Sequence, residues 1–247
     1  PIVIINYGGQ VIINDAAYWG ALTFENCKHI KVTGTGDSNI KYGFKLSAQT
    51  SGLAFTEYSS NCEAEYIEIN QTGFFGIYAK KDFSGNPPTP HPIFNNLVIH
   101  DNYITNVAVG MYLGETKSPG MEFSHVRVFN NIVRNTEREG IQVANMVEDV
   151  EVYNNILLNN GQGGEAGQGN NLQIGDNSVG KYYNNILKGA TGCGVIVFGA
   201  GDIDISNNYL EKNLGIFIDN RLFSKKYAPI SVQNNYFKNI LNNKVFL

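Results

Sequence analysis

The sequence contains no uninterrupted apolar run approaching the ~18 residues that a membrane-spanning helix requires. It has no surplus of positive charge either. Eighteen Lys and Arg stand against 22 Asp and Glu, for a net charge of -4, and no basic run recommends a nucleic-acid backbone as partner. The three cysteines, Cys27, Cys62 and Cys193, match no zinc spacing. The four histidines, His29, His91, His100 and His125, are scattered and read as non-catalytic. Helical periodicity is also missing: no stretch of 10 to 12 residues carries it, which excludes a helical repeat.

Asparagine and glycine are abundant instead, at 33 and 27 residues of 247. Such a composition can mark disorder, but Ile, Val, Leu, Phe and Tyr recur between the asparagines and supply a core. The recurrence has a sentence-like form. Aligned on an Asn pair, the chain reads "LVIHDNYITN" from 97, "VRVFNNIVRN" from 126 and "VEVYNNILLN" from 150. It continues "GKYYNNILKG" from 180, "IDISNNYLEK" near 203 and "ISVQNNYFKN" near 230, with looser copies in "IEINQTGF" and "IKVTGTGD". Asn102, Asn131, Asn155, Asn185, Asn208 and Asn235 fall 23 to 30 residues apart.

Each unit also holds a second apolar piece, usually opened by glycine: "GFKL" at 43, "GIYA" at 76, "GMYL" at 110, "GIQV" at 140, "NLQI" at 171, "GVIV" at 194 and "GIFI" at 215. No L-x-x-L-x-L framework of a leucine-rich repeat is present, and β-sandwich strands do not repeat one sequence. Three short strands per unit predict an all-β parallel solenoid of about eight to nine rungs, spaced ~4.8 Å apart. A two-residue bend needs a residue that tolerates the left-handed region, which Asn does, and stacked Asn amides can bond rung to rung.

The repeat resembles the right-handed parallel β-helix of the pectin-lyase-like superfamily along the whole of residues 1–247, read as a single domain of a longer chain. "PIVIINYGGQVIIND" is similar to the opening of many secreted members, and "NNIVRNTEREGIQV" is close to the generic repeat. The resemblance implies a secreted, periplasmic or cell-surface protein, but the superfamily spans lyases, hydrolases, epimerases, esterases, tailspikes and adhesins. The "NTD", "DD" and "GHG" set of polygalacturonases is absent, as are the "WIDH" and "RxPxxR" motifs of pectate lyases and the "DPHD" motif of alginate epimerases. No residue role carries over from those families.

Alternation supplies candidate faces instead. Before the Asn turn, Val126 and Val128 point inward, and the outward column reads Asn70, His100, Phe129, Tyr153, Tyr183, Ser206, a structural stack. In the glycine-opened strand the outward column reads Lys45, Tyr78, Tyr112, Gln142, Gln173, Ile196, Phe217. Long connections leave this strand in the rungs of Gly43, Gly76, Gly110 and Gly215, and "GQGGEAGQG" is inserted before Asn171. Such loops would wall a groove whose rings and amides suit a sugar chain.

Lys80 lies two residues past Tyr78, with Gly114 and Ala144 as its next counterparts, so it has room beside it. Lys80 as base and Tyr112 as acid could cleave a uronate polymer by β-elimination, with Arg138 and Gln142 holding the substrate carboxylate. Lys45, Tyr78, Gln173 and Asn145 complete the binding set. Asp82 and Glu115 could hold a Ca²⁺. The alternatives are a glycoside hydrolase of the same fold, and a non-catalytic carbohydrate-binding, adhesin-like or tailspike-like solenoid. Cys27 and Cys62 occupy corresponding connections one rung apart, which would allow a disulfide in an exported protein. Val245 and Leu247 read as inward-pointing, so the ends are expected to meet further domains or subunits.

Overall fold

A computed structural model describes every residue except 16–18, 71–72, 84, 116–118, 200, 220–228, 242–244 and 247. The described residues form 27 strands and no helix, arranged in three sheets of nine strands each. Successive strands join the first, second and third sheet in turn, so each circuit of three is one rung. One such rung is Glu122–Phe129, Ile132–Arg134 and Ile141–Val143. Every strand pair is parallel, and the solenoid with Asn turns expected from the repeat is the fold observed.

The two residues of the Asn pair divide the turn between them. Asp101, Asn130, Asn154, Asn184, Asn207 and Asn234 all have φ between +54° and +56°. The following residues, Asn102 to Asn235, point inward and form the ladder. Asn131 Nδ2 donates to Asn155 Oδ1 at 3.0 Å, Asn155 to Asn185 at 3.1 Å and Asn185 to Asn208 at 3.0 Å. Each amide also donates to a backbone carbonyl of the preceding rung, as Asn155 does to Val128 at 2.9 Å.

Alternation sets the core. Val126, Val128, Val133, Ile141 and Val143 are all fully buried, as are their counterparts Ile99, Ile104, Met111, Leu157 and Ile174 on neighbouring rungs. Each such side chain contributes about 1.5 to 3 kcal/mol by leaving water. Outside the first sheet, His100, Phe129, Tyr153 and Tyr183 stack with centroid separations of 4.6, 5.0 and 5.1 Å. This column continues to Glu65, not Asn70, because His100 pairs with Glu65 while Asn70 lies on the second sheet beside Thr105.

The first two rungs depart from the sequence expectation. "GFKL" begins the second-sheet strand Phe44–Ala48, and the third-sheet strand follows directly at Ser51–Thr56, so no long loop leaves it. Lys45 therefore sits on another face, beside Glu68, with which it forms an ion pair at 3.0 Å. All three cysteines are free. Register explains this: Cys27 lies against Ser59, whose hydroxyl accepts its backbone N–H at 3.1 Å, while Cys62 pairs beside Ile30 in the core. Val245 pairs with the buried Ile216 and so keeps the inward column expected of it, although it is 43% exposed, and Leu247 lies outside the described residues.

Candidate functional site

The third sheet carries the column expected from alternation: Tyr78, Tyr112, Gln142, Gln173, Ile196 and Phe217 are successive register partners. Below Tyr78 the column continues to Ala54 and Thr23 rather than to Lys45. Stacked rungs bring the Tyr78 and Tyr112 rings parallel, with centroids 6.0 Å apart and planes 9° apart. Phe75 packs against both, at 4.8 and 5.3 Å. Trp19 meets Tyr78 edge-on at 5.1 Å.

Lys80 lies over this aromatic floor, its Nζ 5.1 Å from the Tyr112 centroid and 6.0 Å from that of Tyr78. Its ammonium contacts the Asp82 carboxylate, whose Oδ2 accepts the Tyr78 hydroxyl at 2.9 Å. The space beside Lys80 is fixed by the backbone. Gly114 has φ +81°, and a Cβ there would lie 2.1 Å from the Ala144 carbonyl oxygen, so only glycine fits at that position.

Charge is unevenly distributed within the cluster. Burial, followed by the Asp82 charge, raises the Tyr78 phenol far above its ordinary range. Burial would raise Asp82 too, but the hydrogen bonds from Lys80 and Tyr78 outweigh it and hold the carboxyl below its usual value. Glu115, hydrogen-bonded to Asp82, is raised by burial and by the neighbouring negative charge, against the pull of Lys80. Two touching carboxyls displaced in opposite directions can hold one proton between them.

The other expected residues lie around this centre. Arg138 stacks on Phe74 at 4.9 Å and pairs with Glu165 of the inserted loop at 3.5 Å. It is thus separated from Tyr112 by the adjoining Phe74 and Phe75 rings. Gln142 and Gln173 keep their places in the column but are only 4% exposed. Asn145 is fully buried and donates its side-chain amide to the Glu115 carbonyl at 3.1 Å, which places it behind the site as a positioning residue. The proposed Ca²⁺ pair is a poor donor set, since both Asp82 oxygens already accept hydrogen bonds from protein groups.

An accessible depression lies on the first-rung side of Tyr78 and Lys80. It encloses about 250 Å³ among Trp19, Glu25, Glu57, Tyr78, Lys80 and Asp82, with two threonines completing its wall. Trp19, Glu25 and Glu57 were missed because "GALTF" and "SGLAF" were not aligned with "GIYA". Both contain the glycine-opened pattern, and Gly52 occupies the rung position below Gly76, between the register pairs Ser51–Phe75 and Leu53–Ile77. A larger depression of about 390 Å³ on the first sheet, bordered by Glu151, Lys181 and Asp204, has no aromatic residue in its lining. Among the described residues, Glu63, Glu65 and His100 form the one group of three metal-ligating side chains. The Lys31 ammonium already bridges its two carboxylates, at 2.7 Å from each.

Comparison with known proteins agrees with this architecture. The right handed beta helix region family matches residues 47–210, and the chain belongs to that family. It is a right-handed parallel β-helix. No curated protein matches it in sequence. Among solved structures it is similar to an alginate lyase from Paenibacillus sp. str. FPU-7, at 14% identity and a TM-score of 0.64, over 100% of this chain and 84% of that one. It is also similar to the Agl-KA catalytic domain, at 14% identity and a TM-score of 0.55, over 94% of this chain and 40% of that one. The A-module of the Azotobacter vinelandii mannuronan C-5 epimerase AlgE4 aligns at 14% identity and a TM-score of 0.50, over 96% of this chain and 67% of that one. At these identities the likeness is one of fold.

Proposed function

We propose that this is an extracellular, polysaccharide-active β-helix protein whose third-sheet groove binds an acidic glycan and cleaves it by β-elimination. The observation that carries the reading is the Tyr78–Lys80–Tyr112 cluster, in which one lysine lies over two parallel tyrosine rings at the edge of an accessible depression. A lyase and an epimerase named for alginate and mannuronan are among the similar folds, which is consistent with a uronate substrate.

In this mechanism the amine form of Lys80 takes the proton α to the uronate carboxylate, and the carbon–carbon double bond forms as the glycosidic C–O bond breaks. Tyr112 protonates the departing oxygen and recovers its proton from Lys80. Direct contact between Asp82 and Glu115 disfavours hydrolysis through that pair, because glycosidases keep their two carboxyls roughly 5 to 9.5 Å apart.

The test is incubation with a panel of uronate-containing glycans, following the ultraviolet absorbance of an unsaturated product. Lys80→Ala should abolish that signal while glycan binding persists. New reducing ends without the absorbance would indicate a hydrolase, and binding without any turnover would indicate a carbohydrate-binding module.

A further inference from the structure

The groove beside Lys80 is unlike the surface a uniformly acidic polymer needs. Glu25, Glu57 and Asp82 all line it, against one lining cation, Lys80, which contacts Asp82; Glu57 is paired from outside the lining by Lys81. Register spreads these charges along the axis. Glu25, Thr56 and Lys80 occupy one column on successive rungs, so Glu25 lies about 10 Å from Lys80 along the axis. That distance is about the span of two sugar units, with the lysine at one end and the glutamate at the other.

The apolar side of the depression is equally specific. Trp19 is 37% exposed, lies perpendicular to Tyr78 and lines the depression with it. Ala54, the column residue between Thr23 and Tyr78, is small enough to let the indole reach Tyr78 across it. An aromatic face flanked by carboxylates takes the C–H face of a sugar and accepts hydrogen bonds from its hydroxyl or amide N–H groups. A second uronate carboxylate placed there would meet Glu25 as a like charge, beside a Glu57 already paired with Lys81.

We infer that the Trp19 subsite takes a neutral, hydroxyl-rich sugar next to the single uronate received at Lys80, so that the substrate is a heteropolymer alternating acidic and neutral units rather than a homopolyuronate. This rests on the proposed glycan-binding role of the groove and specifies its substrate class. The reacting uronate lies at Lys80, and the Glu25 carboxylate disfavours a second one at the Trp19 subsite.

The chain supplies its own reporter, because Trp19 is its one tryptophan. Titration of Trp19 emission with oligosaccharides of hyaluronan, which alternates a uronate with an N-acetylhexosamine, should give affinity at least about tenfold tighter than length-matched oligogalacturonate or alginate oligosaccharides. The Glu25→Gln/Glu57→Gln variant should close that gap by improving the homopolyuronates, since it removes two negative charges and releases Lys81. Trp19→Ala, followed by calorimetry, should weaken hyaluronan binding. Equal affinity for the homopolyuronates in the parent, with the same emission change, overturns the inference and leaves the acidic-glycan reading standing. Hyaluronan binding that neither moves Trp19 emission nor weakens in Trp19→Ala also overturns it. Calorimetric absence of binding to every one of these glycans removes the acidic-glycan reading and this inference together.

Discussion

Asn154 and Asn155 are adjacent in the chain and opposite in environment: Asn154 is exposed at φ +55°, whereas Asn155 is fully buried with its amide in the ladder. The two should respond differently to substitution. Asn155→Leu removes donors to Val128, Tyr153 and Asn185, and strands the backbone N–H and the amide of Asn131 that it accepts. We expect a loss of about 3 to 5 kcal/mol in denaturant unfolding, because several buried polar groups lose partners together. Asn154→Gly should be near neutral and Asn154→Ala should cost about 1 kcal/mol, the strain of a Cβ in the left-handed region. Equal losses at the two positions would contradict this division.

This division also shows what could be read from sequence. The Asn pair repeats because every rung needs the same bend, so the turn and the column from Tyr78 to Phe217 were legible. Which Asn bends and which bonds was not, since both residue types are the same. The first two rungs were misaligned because residues 34–43 lengthen one connection while only residues 49–50 separate the next two strands. Lys45 was thereby assigned to the wrong sheet. Part of the site's charge pattern was hidden for another reason: Glu115 and Glu57 reach Asp82 and Lys81 from neighbouring rungs.

The strand phase gives a second prediction. Ile141 lies in the core and Gln142 in the outward column, although the latter is covered to 4% exposure. Ile141→Ala should cost about 2 to 5 kcal/mol through the cavity it leaves. Gln142→Ala should cost less, about 1 to 2 kcal/mol, because a polar side chain loses its contacts without opening the core. Chemical denaturation of both variants checks the order.

Glu139 makes stability depend on pH. It is 2% exposed, its Oε1 has no hydrogen-bond partner among the described residues, and burial pushes its carboxyl up to about 7 against the opposing effects of its own backbone N–H, Arg138 and Asn170. A folded value above the unfolded 4.5 means that the native state holds a proton the unfolded chain releases between those limits. Its contribution therefore falls as pH rises from about 4.5 to 7 and stays low above that, by up to about 3 kcal/mol. Asp82 and Glu63, both lowered, act in a separate window and lose stabilisation only as pH drops through and below their ordinary values. Glu139→Gln should flatten the stability profile between pH 5 and about 7.5 and raise stability at its alkaline end. An unchanged slope in that variant would assign the dependence elsewhere.

The two outward stacks make the last prediction discriminating. Phe129 lies between His100 and Tyr153 on the first sheet, whereas Tyr112 lies beside Tyr78 and under Lys80 on the third. Both rings are partly exposed and each packs against two other rings, so removal of ring contacts alone would affect them similarly. Tyr112→Phe keeps the ring and deletes only the hydroxyl. If that hydroxyl protonates the leaving oxygen, the variant should lose about 10²-fold or more in kcat with little change in KM or unfolding midpoint. Phe129→Ala should lower stability by about 1 to 3 kcal/mol and leave kcat at the parent value, because its face is not the one that meets the glycan. A Tyr112→Phe variant with full turnover would remove Tyr112 as the acid, and a Phe129→Ala variant that folds but no longer turns over substrate would move the working face to the first sheet.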